Sequence, residues 1–161
     1  MQLRLATPAD AEAIASVLSK AFVQYERLYT AEGFTATVPR PEQIERRMNE
    51  GPVWVAVDDG SVVGTASVVL KGEGLYVRGM AVDPMARGKS IGRKLLDCAE
   101  AFAAQNNCKY LFLSTTPFLE RAIKLYEDYG FHRTPEGPDN LFGTPLFTMT
   151  KVVSQTPGAS S

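Results

Sequence analysis

Cysteine and histidine are scarce in this chain of 161 residues, which has only Cys98, Cys108 and His132. Two thiols do not make a disulfide framework, and one imidazole with no second histidine or neighbouring cysteine has no metal-ligand spacing. No metal is expected. Cys98 reads as a small hydrophobe on a helix face, and His132 as a surface or strand-end residue. A surplus of charge is also missing: 17 Lys and Arg against 18 Asp and Glu leave a net charge of −1, with a pI near 5.9. That balance gives no general attraction to nucleic acid or to an anionic membrane, so neither is expected as a partner. No apolar run approaches the ~20 residues of a membrane span. Met1-Gln2-Leu3-Arg4 runs into a strand-like stretch and lacks a signal peptide's charged and apolar regions, so a cytoplasmic location is expected.

With 45% apolar residues, the length suits one domain, taken as residues 1–153. The tail 154–161, SQTPGASS, has nothing to bury and is expected to be disordered. Residues 2–6 read as a strand. Thr7-Pro8 then offers a helix start, and Ile14, Val17, Leu18, Ala21, Phe22 and Tyr25 recur at helical spacing. A second helix is predicted from Pro41 to about Glu50. The stretch Leu28 to Arg40 shows no clear period and, lying between two helices, reads as a mobile cover over a site. Val53–Val57 and Val62–Leu70 form a hairpin about Asp58-Asp59-Gly60, followed by a strand over Leu75–Val82. A helix from Ser90 carries Ile91, Leu95, Cys98 and Phe102 on one stripe and ends at Asn106-Asn107. Tyr110–Leu113, apolar throughout, reads as a central strand. A helix after Pro117 ends at Gly130, a short strand begins at Phe131, and Leu146–Val152 is the last strand. Three antiparallel strands followed by a crossover helix predict an α/β (α+β) fold: a mixed, mostly antiparallel central sheet with helices on both faces.

The chemistry gathers in VDPMARGKSIGRKLL, residues 82–96, at a strand-to-helix junction. Gly88-Lys89-Ser90 ends like a P-loop, but the glycine required five residues earlier is Asp83, whose like charge would oppose a phosphate. The dinucleotide fingerprint G-x-G-x-x-G is absent too. An anion is still wanted. The first turn of a helix leaves amide N–H groups unpaired, its dipole adds partial positive charge, and Arg87, Lys89 and Arg93 add more, with Gly88 and Gly92 permitting close approach. A pyrophosphate suits this loop.

The run Met80-Ala81-Val82-Asp83-Pro84, Arg87-Gly88-Lys89-Ser90-Ile91-Gly92-Arg93 and Leu95-Leu96 resembles the acetyl-CoA signature of the GCN5-related N-acetyltransferases (GNAT family). Arg121 to Phe131, RAIKLYEDYGF, resembles that family's Ala-Ile-x-Leu-Tyr-x-x-x-Gly-Phe segment. The likeness spans roughly residues 2–152. It implies the GNAT (acyl-CoA N-acyltransferase) fold and transfer of an acetyl group from acetyl-CoA to a primary amine of a small molecule or peptide, by a monomer or homodimer. A catalytically silent acyl-CoA-binding domain is the alternative. The diphosphate of coenzyme A is then expected on the N–H groups of Arg87, Gly88, Lys89, Ser90, Ile91, Gly92 and Arg93. Its pantetheine arm would pair with the backbone of Met80, Ala81 and Val82. Ser90 departs from the pattern, standing where the first signature glycine is usual, and is expected to serve as a helix cap that also donates to phosphate. The resemblance makes Tyr126 the general acid for the departing thiolate, and the backbone N–H of Val82 is the expected oxyanion donor. The family's usual base position falls on Tyr76. Glu73 is the candidate base, and a water chain an equal alternative.

Overall fold

The computed structural model describes residues 1–153, so the tail expected to be disordered lies outside the described residues. Seven strands form one sheet in the order β1-β2-β3-β4-β5-β9-β6. They are β1 (Gln2–Leu5), β2 (Val53–Asp58), β3 (Ser61–Lys71), β4 (Gly74–Val82), β5 (Tyr110–Thr115), β6 (His132–Thr134) and β9 (Phe147–Val152). Two short strands, β7 (Asn140–Leu141) and β8 (Thr144–Pro145), pair only with each other. Every contact in the main sheet is antiparallel except β4 with β5. A parallel neighbour needs a crossover, supplied by helix α4 (Ile91–Gln105).

Alternation along the strands assigns the two faces. In β2, Val53 and Val55 enter one cluster with Ile14, Leu18 and Ile44, while Ala56 enters another with Ile91 and Leu95, as a period of two requires. Helices α1 (Ala11–Phe22) and α3 (Pro41–Met48) therefore cover one face. Helices α4 and α5 (Glu120–Tyr129) cover the other, where Leu96, Ala99, Ala103, Tyr126 and Tyr129 pack on Leu75, Leu111 and Met149. This matches the expected mixed sheet between two helical layers. At the first helix start, Thr7 N–H donates to the Asp10 carboxylate (2.8 Å), which also takes two bonds from Arg4 (2.8 and 3.0 Å) and so ties β1 to α1.

Three local expectations need correction. The segment Leu28 to Arg40, which lacks a clear period, has regular structure. It holds helix α2 (Ala31–Thr37), capped by the Thr30 hydroxyl, which accepts from Gly33 N–H at 3.0 Å. No apolar stripe announces α2 because its contact is made by a missing side chain: a Cβ on Gly33 would lie 2.5 Å from Thr144 Oγ1. Thr30 N–H donates to Thr144 Oγ1 (2.9 Å) and its hydroxyl to the Phe142 carbonyl (2.9 Å), so α2 and the β7–β8 hairpin hold each other. The first long helix is also shorter than its apolar period, since Val23–Leu28 tightens into 3₁₀ turns. In α4 the buried stripe runs through Leu96, Ala99 and Ala103 beside Ile91 and Leu95, leaving Cys98 only half-buried.

The feature that positions the site is a split in the sheet. β4 pairs with β5 only from Gly74 to Tyr76, opposite Tyr110 to Phe112. Beyond that, β4 stays on β3 and β5 stays on β9, and the two diverge. A bulge lies just past the split: Gly79 and Met80 together face Ala66, between the pairs Thr65–Ala81 and Ser67–Arg78. Gly79 takes the left-handed φ of 57° that this bulge needs, and bulges sharpen strand twist.

Candidate active site

The cleft opened by the split has two lobes. One, of about 360 Å³, runs from the end of β4 to the start of α4 and is walled by α5. The other, of about 310 Å³, lies between the splayed halves of β4 and β5 under α2, α3 and the β7–β8 hairpin. Met80, Phe22, Leu119, Ala122 and Tyr126 line both, so the lobes meet at Tyr126.

The first lobe is built as an anion seat. Asp83, in the place where a P-loop has glycine, uses its carboxylate to accept Met85 N–H (2.9 Å) and so holds a 3₁₀ turn over Pro84–Ala86. Gly88 then takes φ 92° with nothing within 4 Å of where a Cβ would stand. The first ladder bond of α4 is donated by Lys94 N–H to the Ser90 carbonyl (3.1 Å), which leaves the amides of Ile91, Gly92 and Arg93 free of the helix ladder. Arg87 and Arg93 line the lobe, joined by Arg121 from α5. Free amides, a helix N-terminus and three guanidiniums fit a diphosphate.

Four expectations about this loop change. Ser90 is not a side-chain cap: it stands at φ 57°, ψ 29° and its hydroxyl makes no capping bond. That conformation explains why glycine suits this position, since an L side chain there costs about 1 kcal/mol. Lys89 is absent from the lobe lining because its ammonium is paired with Asp58. The bare Cα of Gly92 serves helix packing, since a Cβ there would sit 2.7 Å from Leu125 Cδ2. Ala81 is buried and paired with Thr65, its backbone turned toward β3. Val82 is oriented the other way. Asp83 donates its N–H to the Val63 carbonyl (2.8 Å), and alternation along a strand turns the Val82 N–H to the opposite, open edge.

Tyr126 is buried, and burial, with a smaller contribution from Tyr29, pushes its phenol up to about 12. It therefore carries its proton at any physiological pH. Tyr129, one turn on, donates to Asp97 (2.7 Å), and burial and that acceptor both push its phenol upward. The turn after it is closed by Gly130 at φ 115°, whose N–H reaches the Tyr126 and Glu127 carbonyls. Glu73 falls outside the site. It is exposed in the turn before β4, its carboxylate on Lys109 Nζ (3.0 Å), and the nine residues of β4 put roughly 30 Å between it and Val82. Tyr76 lines the second lobe, its ring stacked on Phe112 at 5.1 Å.

Some lining residues carry no sequence signal. Arg47 from α3, Arg78 from β4 and Tyr29 from the chain before α2 reach the second lobe only because β4 and β5 part there. Among the described residues no cluster of three or more His, Cys, Asp or Glu is placed to hold a metal, and no helix is long and apolar enough to cross a membrane.

A split parallel pair, an anion seat at the helix that follows it and a protonated tyrosine where two lobes meet define a transferase that draws its acyl group from coenzyme A. A sequence profile of the acetyltransferase (GNAT) family matches residues 16–131. An uncharacterized N-acetyltransferase of Escherichia coli, YjgM, is 30% identical over 135 residues, 80% of each chain. N-acetylaspartate synthetase of Danio rerio is 39% identical over 88 residues, but the match spans only 31% of that protein. Among solved structures, the PaiA N-acetyltransferase of Thermoplasma acidophilum in complex with coenzyme A has a TM-score of 0.77 at 18% identity, over 94% of this chain and 99% of that one. The chain belongs to the GNAT family. It is an acetyl-CoA-dependent N-acetyltransferase, and its acceptor is an amine.

Proposed function

We propose that the lobe at the α4 N-terminus seats coenzyme A, that the second lobe seats a primary amine of a small molecule, and that transfer occurs beside Tyr126. The bound cofactor supplies an acetyl thioester. The amides of Gly88 and of Ser90 to Arg93 hold its diphosphate, aided by Arg87 and Arg93, and the open edge of Met80 and Val82 aligns the arm that carries sulfur. The Val82 N–H, on the open edge, would be the donor to the thioester oxygen, fixed in place before reaction. The amine nitrogen bonds to the carbonyl carbon as the carbon–sulfur bond breaks. The Tyr126 hydroxyl donates a hydrogen bond to the departing sulfur, which leaves as thiolate and takes its proton from solvent; the amine's proton also leaves to solvent, because no aspartate, glutamate or histidine among the described residues lines the second lobe. Closure of that lobe by α2 and the β7–β8 hairpin, with a volume of about 310 Å³, favours a small molecule over a folded protein.

The single observation behind this reading is the split of β4 from β5 beyond Tyr76, which opens one strand edge beside a cleft that reaches both the α4 N-terminus and the buried Tyr126 phenol. Two measurements test it: calorimetric titration with coenzyme A, and release of free thiol from acetyl-CoA with a panel of primary amines. Heat with the carrier and amine-dependent thiol release are expected. Folded protein that gives no heat with either coenzyme A or acetyl-CoA would refute the assignment of the first lobe.

A further inference from the structure

The β4 side of the acceptor lobe is more cationic than amine chemistry needs. Arg47 and Arg78 both line it, no Asp or Glu does, and no carboxylate of the described residues lies within ion-pair distance of Arg47. Arg47 lies across the bulge, with Nη1 only 2.7 Å from where a Gly79 Cβ would stand. Arg78 gives Nη2 to Glu50 at 2.7 Å, but its Nε is buried with no hydrogen-bond partner. Across the split, Thr115 is 5% exposed and its hydroxyl is buried without a partner. Unpaired buried donors are costly, and like charges on one wall add to that cost. Burial first, then the field of Arg78, holds Arg47 below its ordinary pKa. An anion between the two guanidiniums would offset their mutual repulsion and take up unpaired donors.

We propose that the acceptor amine carries a carboxylate, seated between Arg47 and Arg78 on the β4 wall, with the Thr115 hydroxyl across the split as a further donor. The substrate class is then a small amino acid-like amine with an apolar side chain, because the other walls are mainly apolar, with Phe22, Met80, Leu113, Leu119, Leu141 and Leu146 among them. Guanidinium pairs a carboxylate through two parallel N–H groups, and a pocket built to bind a charged group rejects analogues that lack it. A polyamine is disfavoured by the same wall, since its second ammonium meets two guanidiniums and no carboxylate. This inference rests on the second lobe being the acceptor's seat.

The test is thiol release from acetyl-CoA with matched acceptors: leucine, leucinamide and 3-methylbutylamine; phenylalanine, phenylalaninamide and phenethylamine; and putrescine. Amidation lowers the ammonium pKa and frees more neutral amine, so intrinsic reactivity favours the amides and works against the expected order. The wild-type protein should prefer each acid over its amide by at least tenfold in kcat/KM, with putrescine poorest. Arg47→Gln should reduce the acid-to-amide ratio at least tenfold. Thr115→Val should reduce it several-fold, and it serves in place of Arg47→Gln should that variant fail to bind coenzyme A in calorimetry. Thiol release that is indifferent to the carboxylate, or fastest with putrescine, overturns the carboxylate seat and leaves the transferase reading standing. Absence of both carrier binding and thiol release overturns both.

Discussion

Replacing Tyr126 with phenylalanine removes one oxygen from a ring that lines both lobes and otherwise leaves its packing against Phe131 in place. The phenol sits at about 12, while a free thiol is near 8.5. Full proton transfer from Tyr126 to a thiolate is therefore uphill by about 3 to 5 kcal/mol. The hydroxyl instead contributes a hydrogen bond that strengthens as charge builds on sulfur, worth about 1.5–3 kcal/mol for a charged acceptor. That converts to a kcat roughly 10- to 100-fold lower, with coenzyme A affinity little changed because the thiol of the free carrier is neutral. A second readout isolates the same group. A phenol raised from 10 to about 12 on folding contributes stability that is complete below pH 10 and is lost as pH rises through 12. The loss approaches about 3 kcal/mol. Urea unfolding of wild type and Tyr126→Phe at pH 9 and near pH 12 should show the wild type losing about 2 kcal/mol more than the variant; Tyr129, also raised, cancels in the difference. Unchanged turnover by thiol release would remove Tyr126 from the chemistry, and parallel alkaline curves would mean that its phenol is not desolvated.

Three further outcomes follow from named contacts. Ser90→Gly should be more stable to urea than Ser90→Ala by about 1 kcal/mol, because both lose the hydroxyl and only glycine adopts φ 57° without strain; since that strain is present with and without ligand, coenzyme A affinity of Ser90→Gly should stay within tenfold of wild type. Gly33→Ala should destabilise by about 1–2 kcal/mol although alanine is the better helix former, because the new Cβ lies 2.5 Å from Thr144 Oγ1 and 3.0 Å from the Leu141 carbonyl; denaturant midpoints check this, and KM for the amine should rise. Arg4 holds the Asp10 carboxyl down at about 2, so its stabilisation is present above about pH 4 and lost as pH falls toward 2. Asp10→Asn should lower Tm at pH 7, with the gap to wild type closing in acid.

Much of the molecule was legible along the chain because its signals are local. Ile14, Val17, Leu18 and Ala21 repeat at helical spacing and all prove buried in α1. Asp59-Gly60 marks the β2–β3 turn, and Gly130 stops α5 in the left-handed conformation expected of it. The diphosphate loop is local as well: a proline-ended strand, Gly88 and the first turn of α4 are contiguous, so their chemistry reads from fifteen consecutive residues. Where the reading failed, a distant partner had decided. Helix α2 has no apolar stripe because Gly33 packs against a threonine 111 positions later. Lys89 reads as a free cation beside the loop, but Asp58, from β2, pairs with its ammonium.

The chain by itself determined the seat proposed for the cofactor, since free amides and neighbouring cations are set by which residues adjoin one another. Only the tertiary structure decided the acceptor's. Arg47, Arg78 and Thr115 come from α3, β4 and β5 and converge because a bulge and an early end to pairing force two strands apart. A gap between strands is a property of how they meet in space, and no run of consecutive residues spells it.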